Sequence, residues 1–136
     1  MLLSLLKRKE KLKFLDLVMH MVAVDGEPTE IEQRLLNIML AEVGDGIVKE
    51  YTYTLSKNLE ETIEYFKTTS PTVKNIVYLN LLKVTMMDDF YNTAEHFFLE
   101  DIKEDLGITD YKKKQLMRLV YNERDLRERA KRVVSS

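Results

Sequence analysis

Only six residues of this 136-residue chain, four Gly and two Pro, are strong interrupters of helix. They leave long stretches without a built-in turn, and those stretches mix apolar and charged residues in a chain that is 45% hydrophobic and 32% charged. Few turns and many two-faced segments describe helices rather than strands. The length suits one domain with one core. The expected class is therefore all-α, a compact single-domain helical bundle.

Helical spacing and capping signals divide the chain. Phe14, Leu15, Val18, Met19 and Val22 recur on one face, with Lys9, Lys13, Asp16 and His20 on another, which predicts a first helix running to about Val24. Gly26 and Pro28 stop it, and Thr29-Glu30-Ile31-Glu32 reads as a capping box that opens a second helix with Leu35, Leu36, Met39 and Val43 on its buried face. Gly44 to Gly46 ends that helix. One or two shorter helices are expected over 47–69, the later one opened by Asn58-Leu59-Glu60-Glu61. Ser70-Pro71 is a cap followed by Pro in the first turn, and the helix it opens, through Val73, Ile76, Val77, Leu81 and Val84, is apolar nearly all round and belongs at the centre. Asn92-Thr93-Ala94-Glu95 starts a further helix that Gly107 closes, and Thr109 caps a last one through Leu116, Leu119 and Val120, with Asn122 as a candidate break before a basic amphipathic tail over 121–136.

Shifted by 63 residues, the chain overlays itself without a gap. "AVDGEPTEIEQRLLNIMLAEVG" lies over "MMDDFYNTAEHFFLEDIKEDLG", so that Asp25 meets Asp88, Glu32 meets Glu95, Leu36 meets Leu99 and Gly44 meets Gly107. Each copy reads as a buried helix, an acidic turn, a capped helix and a Gly stop. This pattern predicts two related halves.

Asp25-Gly26-Glu27 with Glu32 seven residues after Asp25, echoed by Asp88 and Glu95, resembles the TerB-like tellurite-resistance family over roughly residues 12–120. The resemblance implies a bundle of about seven helices with two related halves, a core near 12–120, an acidic cluster that binds metal, and association with membrane-linked stress-response complexes; a related domain stands beside J-domains in membrane-anchored co-chaperones. In the second turn Asp89 and Phe90 replace the Gly-Glu pair of the first.

Two readings of the acidic turns stay open. In one, Asp25, Glu32, Asp88 and Glu95, with Glu27 or Asp89 as additional ligands, hold a hard divalent cation, Ca²⁺ or Mg²⁺, because such ions prefer several oxygens and uncompensated carboxylates repel. In the other, Glu32 and Glu95 complete capping boxes at the positive helix starts while Asp25 and Asp88 sit in solvated turns. The spacing is not that of an EF-hand. With no Cys and two His, thiolate sites and cysteine nucleophiles are excluded and zinc has few ligands. His20 with Asp16 reads as a polar stripe rather than a dyad, and His96 points about 100° away from Glu95. Phe90, Tyr91, Phe97, Phe98, Met86 and Met87 read as core.

Charge is segregated along the chain. Residues 1–22 hold five Lys/Arg against two Asp/Glu, 23–110 hold seven against eighteen, and 111–136 hold nine against three, for a net charge of −2. The middle offers an acidic surface to a partner, while the basic ends pack near it or meet anionic lipid. Nucleic acid is not expected, since no aromatic interleaving or groove-reading motif accompanies the basic residues. "MLLSLLKRKEKLK" places its apolar run before its basic one, the reverse of a secretory signal, and no apolar run reaches spanning length. A cytoplasmic protein is expected, with the resemblance adding a peripheral position at the inner face of a membrane. The functional expectation is a non-enzymatic module that binds a divalent cation and signals through a protein partner. The alternative is a metal-independent interaction adaptor, with a metal-dependent hydrolase ranked last.

Overall fold

A computed structural model describes residues 1–24, 30–50, 59–86 and 93–136, the side chains of residues 31, 32 and 50 excepted. Its centre is a helix that carries no polar face. Pro71–Met86 (α5) opens where Ser70 Oγ accepts the Val73 N–H at 3.3 Å, with Pro71 in the first turn where its missing N–H costs nothing. Every residue from Ile76 to Val84 is buried. A helix apolar on all sides is stable only when neighbours cover it all round.

Six further α-helices, Arg8–Val22 (α1), Glu30–Val43 (α2), Asp45–Glu50 (α3), Leu59–Lys67 (α4), Thr93–Asp105 (α6) and Asp110–Ser135 (α7), join α5 in an all-α bundle with no strand among the described residues. α5 packs against α2, α4, α6 and α7, and α1 packs against α3, α4 and α6. Of the one or two shorter helices expected over 47–69, the described residues hold two, α3, which starts slightly earlier, and α4. The core unites Phe14, Met21, Phe66, Tyr78, Leu81 and Ile102, none more than 1% exposed. Apolar burial reaches back to Leu3 and Leu6.

Helix ends follow the capping chemistry of their sequences. α1 stops at Val22, two residues before the expected end, and Lys7 N–H donates to Glu10 Oε1 at 2.7 Å to satisfy its first turn. Gly44 (φ 102°) and Gly107 (φ 67°) adopt the left-handed conformation after α2 and α6. At the second of these, Gly107 N–H bonds the Glu104 carbonyl at 3.1 Å and Ile108 N–H bonds the Lys103 carbonyl at 3.0 Å, the paired bonds of a Schellman stop. Thr109 Oγ1 then accepts Lys112 N–H at 3.1 Å and opens α7. α7 runs through Asn122 without the break read at that residue, because a single Asn costs a helix only a few tenths of a kcal/mol.

A 3-10 turn, Leu3–Leu5, seats the first residues on the bundle. The Met1 amine donates to Glu42 Oε2 and to Asn80 Oδ1, each at 2.9 Å, and Leu3 N–H donates to Glu42 Oε1 at 2.8 Å. Asn80 Nδ2 returns two bonds at 2.8 Å, to the carbonyls of Met1 and Ile76. Those bonds offset the strain at Leu2, whose φ of 62° is unfavourable for a branched side chain by about 1–2 kcal/mol. They also explain how α5 tolerates a wholly buried Asn.

The helix starts carry a regular offset. α1 and α5 begin at 8 and 71, α2 and α6 at 30 and 93, and the left-handed glycines stand at 44 and 107, 63 residues apart each time.

Three substitutions separate backbone effects from the loss of buried hydrogen bonds. Gly107→Ala is expected to destabilise the fold by about 1 kcal/mol, since the left-handed backbone disfavours a Cβ even with open space around it, while Gly46→Ala inside α3 is expected to be neutral or stabilising by up to about 1 kcal/mol. Asn80→Ala strands the polar groups of Met1 and is expected to cost about 1–3 kcal/mol. Urea unfolding measures all three.

Candidate acidic interface

The periodicity of α6 sorts its side chains onto two surfaces. Glu95, Leu99, Ile102 and Leu106 recur at helical intervals and are all buried. Phe98, Asp101 and Asp105 recur at three and four residues along the adjoining face, where α6 meets α4. Leu59, Glu60 and Ile63 answer them from α4. Between the two helices lies a cleft of about 310 Å³ with Leu59, Ile63, Phe98 and Ile102 as its apolar lining and Glu60, Asp101, Glu104 and Asp105 around it. These four carboxylates are exposed.

Neighbouring lysines pair directly with other acids, although Lys67 also feels the charge of Asp105 and Lys103 that of Glu104. Lys67 pairs with Glu64 at 2.8 Å, Lys103 with Asp110 at 2.6 Å, and Lys113 with Glu100. Among the described residues, Glu60, Asp101, Glu104 and Asp105 enter no ion pair. The cleft therefore presents a concentrated negative field over an apolar floor, and a low-dielectric wall strengthens such a field toward an approaching cation. On the other side of α4 the surface has the opposite sign, with Lys9 and Lys13 over the Tyr65 ring at 5.1 and 5.9 Å from its centroid.

The ion pairs between helices shift the groups that form them. Lys113 hydrogen-bonds Glu100 and holds its carboxyl below the usual range, outweighing a burial effect in the other direction. Burial alone would raise Glu42, but hydrogen bonds from the Met1 amine and Leu3 N–H bring it below its ordinary value. The Tyr78 hydroxyl is buried with no hydrogen-bond partner among the described residues, and burial pushes its pKa far up, with Glu100 adding to the effect. Between α5, α6 and α7 a smaller crevice of about 90 Å³ takes in Met86, His96, Leu99, Lys113 and Met117. It is mainly apolar, and its lysine is already held by Glu100.

Of the six candidate metal ligands, Asp25, Glu27, Asp88 and Asp89 lie outside the described residues. Glu32 is the third residue of α2, its side chain also outside the description, and Glu95 sits in the first turn of α6 at 4% exposure. Among the described residues no three His, Asp or Glu side chains gather to hold a metal ion. His20 is half-buried, and its Nε2 is enclosed with no hydrogen-bond partner among the described residues. Phe90, Tyr91 and Met87 are likewise undescribed, and Asn58 and Asn92, the expected cap residues, fall with them. Met86 packs at the edge of the core and Phe98 floors the cleft, but Phe97 corrects the expectation of a core aromatic: it is 63% exposed, because it lies one residue off the face that meets α4.

The cleft residues were hidden by their ordinariness. Glu60 reads as a capping neighbour and Asp101, Glu104 and Asp105 as a solvated helix face. The available signal was apolar pairs at i and i+4, Leu59 with Ile63 and Phe98 with Ile102, each flanked by acids inside the most acidic part of the chain.

Because Glu42 and Glu100 are held low in the folded chain, their contribution to stability is complete above the unfolded pKa and lost as pH falls through the folded value. Urea stability is expected to decline below about pH 4, and Glu100→Gln to flatten that decline while leaving Lys113 partly satisfied. An unchanged pH profile in Glu100→Gln contradicts the assignment. No helix among the described residues is long and apolar enough to cross a membrane. Comparison with family models, curated proteins and solved structures returned no match to the chain.

Proposed function

We propose that the protein is a non-enzymatic interaction adaptor whose cleft between α4 and α6 receives a basic amphipathic helix from a protein partner. The observation that supports this most is the combination at the cleft of an apolar floor with four exposed carboxylates that enter no ion pair among the described residues. An apolar helix stripe fills the floor and flanking Lys or Arg meet the acids, the helix-in-groove mode of recognition with charge supplying orientation and on-rate. Binding is expected to weaken with salt and to ignore chelators. A synthetic helical peptide with a leucine stripe flanked by arginines is the probe. Asp101→Lys with Glu104→Lys is expected to weaken its binding at least tenfold, about 1.4 kcal/mol. Unchanged affinity in that variant, read by fluorescence anisotropy, refutes the reading.

A cation reading rests on a different observation. Glu95 is a buried acid in the first turn of α6, and the start of α6 stands at the same 63-residue offset from α2 as α5 does from α1. On this reading the chain consists of two related halves, and Ca²⁺ or Mg²⁺ joins Asp25, Glu32, Asp88 and Glu95, with Glu27 or Asp89 completing the set. A ligand at about 100 times its dissociation constant adds roughly 2.7 kcal/mol to stability. Millimolar Ca²⁺ or Mg²⁺ is then expected to raise the melting temperature, and Asp25→Asn with Asp88→Asn to abolish the rise. A melting temperature indifferent to both ions removes the cation and leaves the adaptor.

A further inference from the structure

Beyond Glu123, which still reaches Lys83 of α5 at 2.7 Å, α7 leaves the bundle. Leu116 and Val120 are its last buried residues, and from Glu128 onward every residue is exposed. At 1.5 Å per residue, the fifteen residues after Val120 extend about 22 Å. This stretch is not an indifferent solvated helix. Leu119, Leu126, Ala130 and Val133 recur at seven, four and three residues and fall within about 60° of one another around the axis. Leu126 and Val133 are 61% and 68% exposed. Arg129 borders the stripe on one side and Glu123 and Arg127 on the other, with Lys131 about 100° round from the nearest stripe residue.

The same chain thus carries two surfaces of matching chemistry. One is an apolar helix stripe edged with cations, and the other is an apolar cleft edged with the carboxylates of Glu60, Asp101, Glu104 and Asp105. They do not meet within one molecule. α7 is an unbroken helix whose near half is packed on α5, so bringing its far half onto α4 and α6 requires breaking it. The pair Lys131 makes with Glu128 at 3.3 Å is a local surface pair, weak enough to exchange for a better partner, whereas Arg127 shares Glu123 with Lys83 of α5 and stays with it. Arg129 enters no ion pair among the described residues.

We infer that the cleft is occupied by the α7 extension of a second copy of this chain, in a reciprocal exchange that buries two stripes and two clefts about a twofold axis. This deepens the adaptor reading and rests on it. Each extension arrives already helical and rigid, so the ordering cost of docking is small. A twofold exchange closes on itself and uses both surfaces at once, which stops growth at the dimer.

Sedimentation velocity over a dilution series at low ionic strength tests this with the full chain. The species is expected to move from 16.1 kDa toward twice that mass as concentration rises, and to return at high salt. The tail variant Arg129→Glu with Lys131→Glu and the cleft variant Asp101→Lys with Glu104→Lys are each expected to stay monomeric, and their equimolar mixture to regain the dimer, because both exchanged contacts are then complementary. All four sites are at the surface or half-buried at most, and circular dichroism checks that each variant stays folded. Wild-type chain that remains monomeric at every concentration overturns the inference, as does a dimer indifferent to both variants. If the chain is monomeric while the leucine–arginine peptide still binds at Asp101 and Glu104, the self-pairing falls and the adaptor stands; if the peptide also fails, both fall. Binding of a monomeric chain to anionic vesicles, lost on Arg129→Glu with Lys131→Glu, assigns the extension to a membrane surface and overturns it too.

Discussion

The fold turns on the enclosure of α5. Nine consecutive residues from Ile76 to Val84 are buried, Lys83 and Asn80 among them, and a helix with no solvent face cannot exist until its neighbours are in place. Its polar members show how completely it is enclosed. Asn80 is satisfied by its own helix and by Met1, and Lys83 reaches Glu123 on α7 at 2.7 Å. A buried pair of this kind adds little net stability but is costly to break, so it fixes where α7 lies on α5 more than it strengthens the bundle.

Covering α5 sets the surfaces that remain. α4 and α6 both pack against it and against each other, which turns the second face of α6 outward beside α4 and makes the cleft. α7 covers α5 with about its first four turns, using Leu116, Val120 and Glu123, and its length then carries it beyond the bundle. The basic extension follows from the central helix being shorter than its longest cover. Ion pairs at the α6–α7 corner, Glu100 with Lys113 and Asp110 with Lys103, hold the direction in which the extension leaves.

Much of the architecture was legible in residue order. Apolar spacing with Ser70-Pro71 identified the central helix, and Gly44, Gly107 and Thr109 marked ends that backbone geometry makes plain, because these residues solve a terminus problem that few others solve. Asn122 misled for the complementary reason: its helix penalty is small, and the turns on either side carry it. The strap from Met1 to Glu42 and Asn80 left no trace, since its partners are 41 and 79 residues away in sequence. The candidate cation residues were legible as a pattern at a constant offset, and Glu95 at the start of α6 belongs to that pattern as a buried acid. The cleft was not legible, because the approach of α4 to α6 is a tertiary fact and each of its acids is unremarkable on its own helix.

On the proposed reading, the face shared by α4 and α6 recognises a basic helix, the chain's own extension included. Amide chemical-shift mapping across a dilution series probes that face. Concentration-dependent shifts are expected, confined to α4, to α6 from Phe98 to Asp105, and to α7 beyond Val120. Shifts that gather instead around Lys9, Lys13 and Tyr65, or none over the whole range of concentration, contradict it.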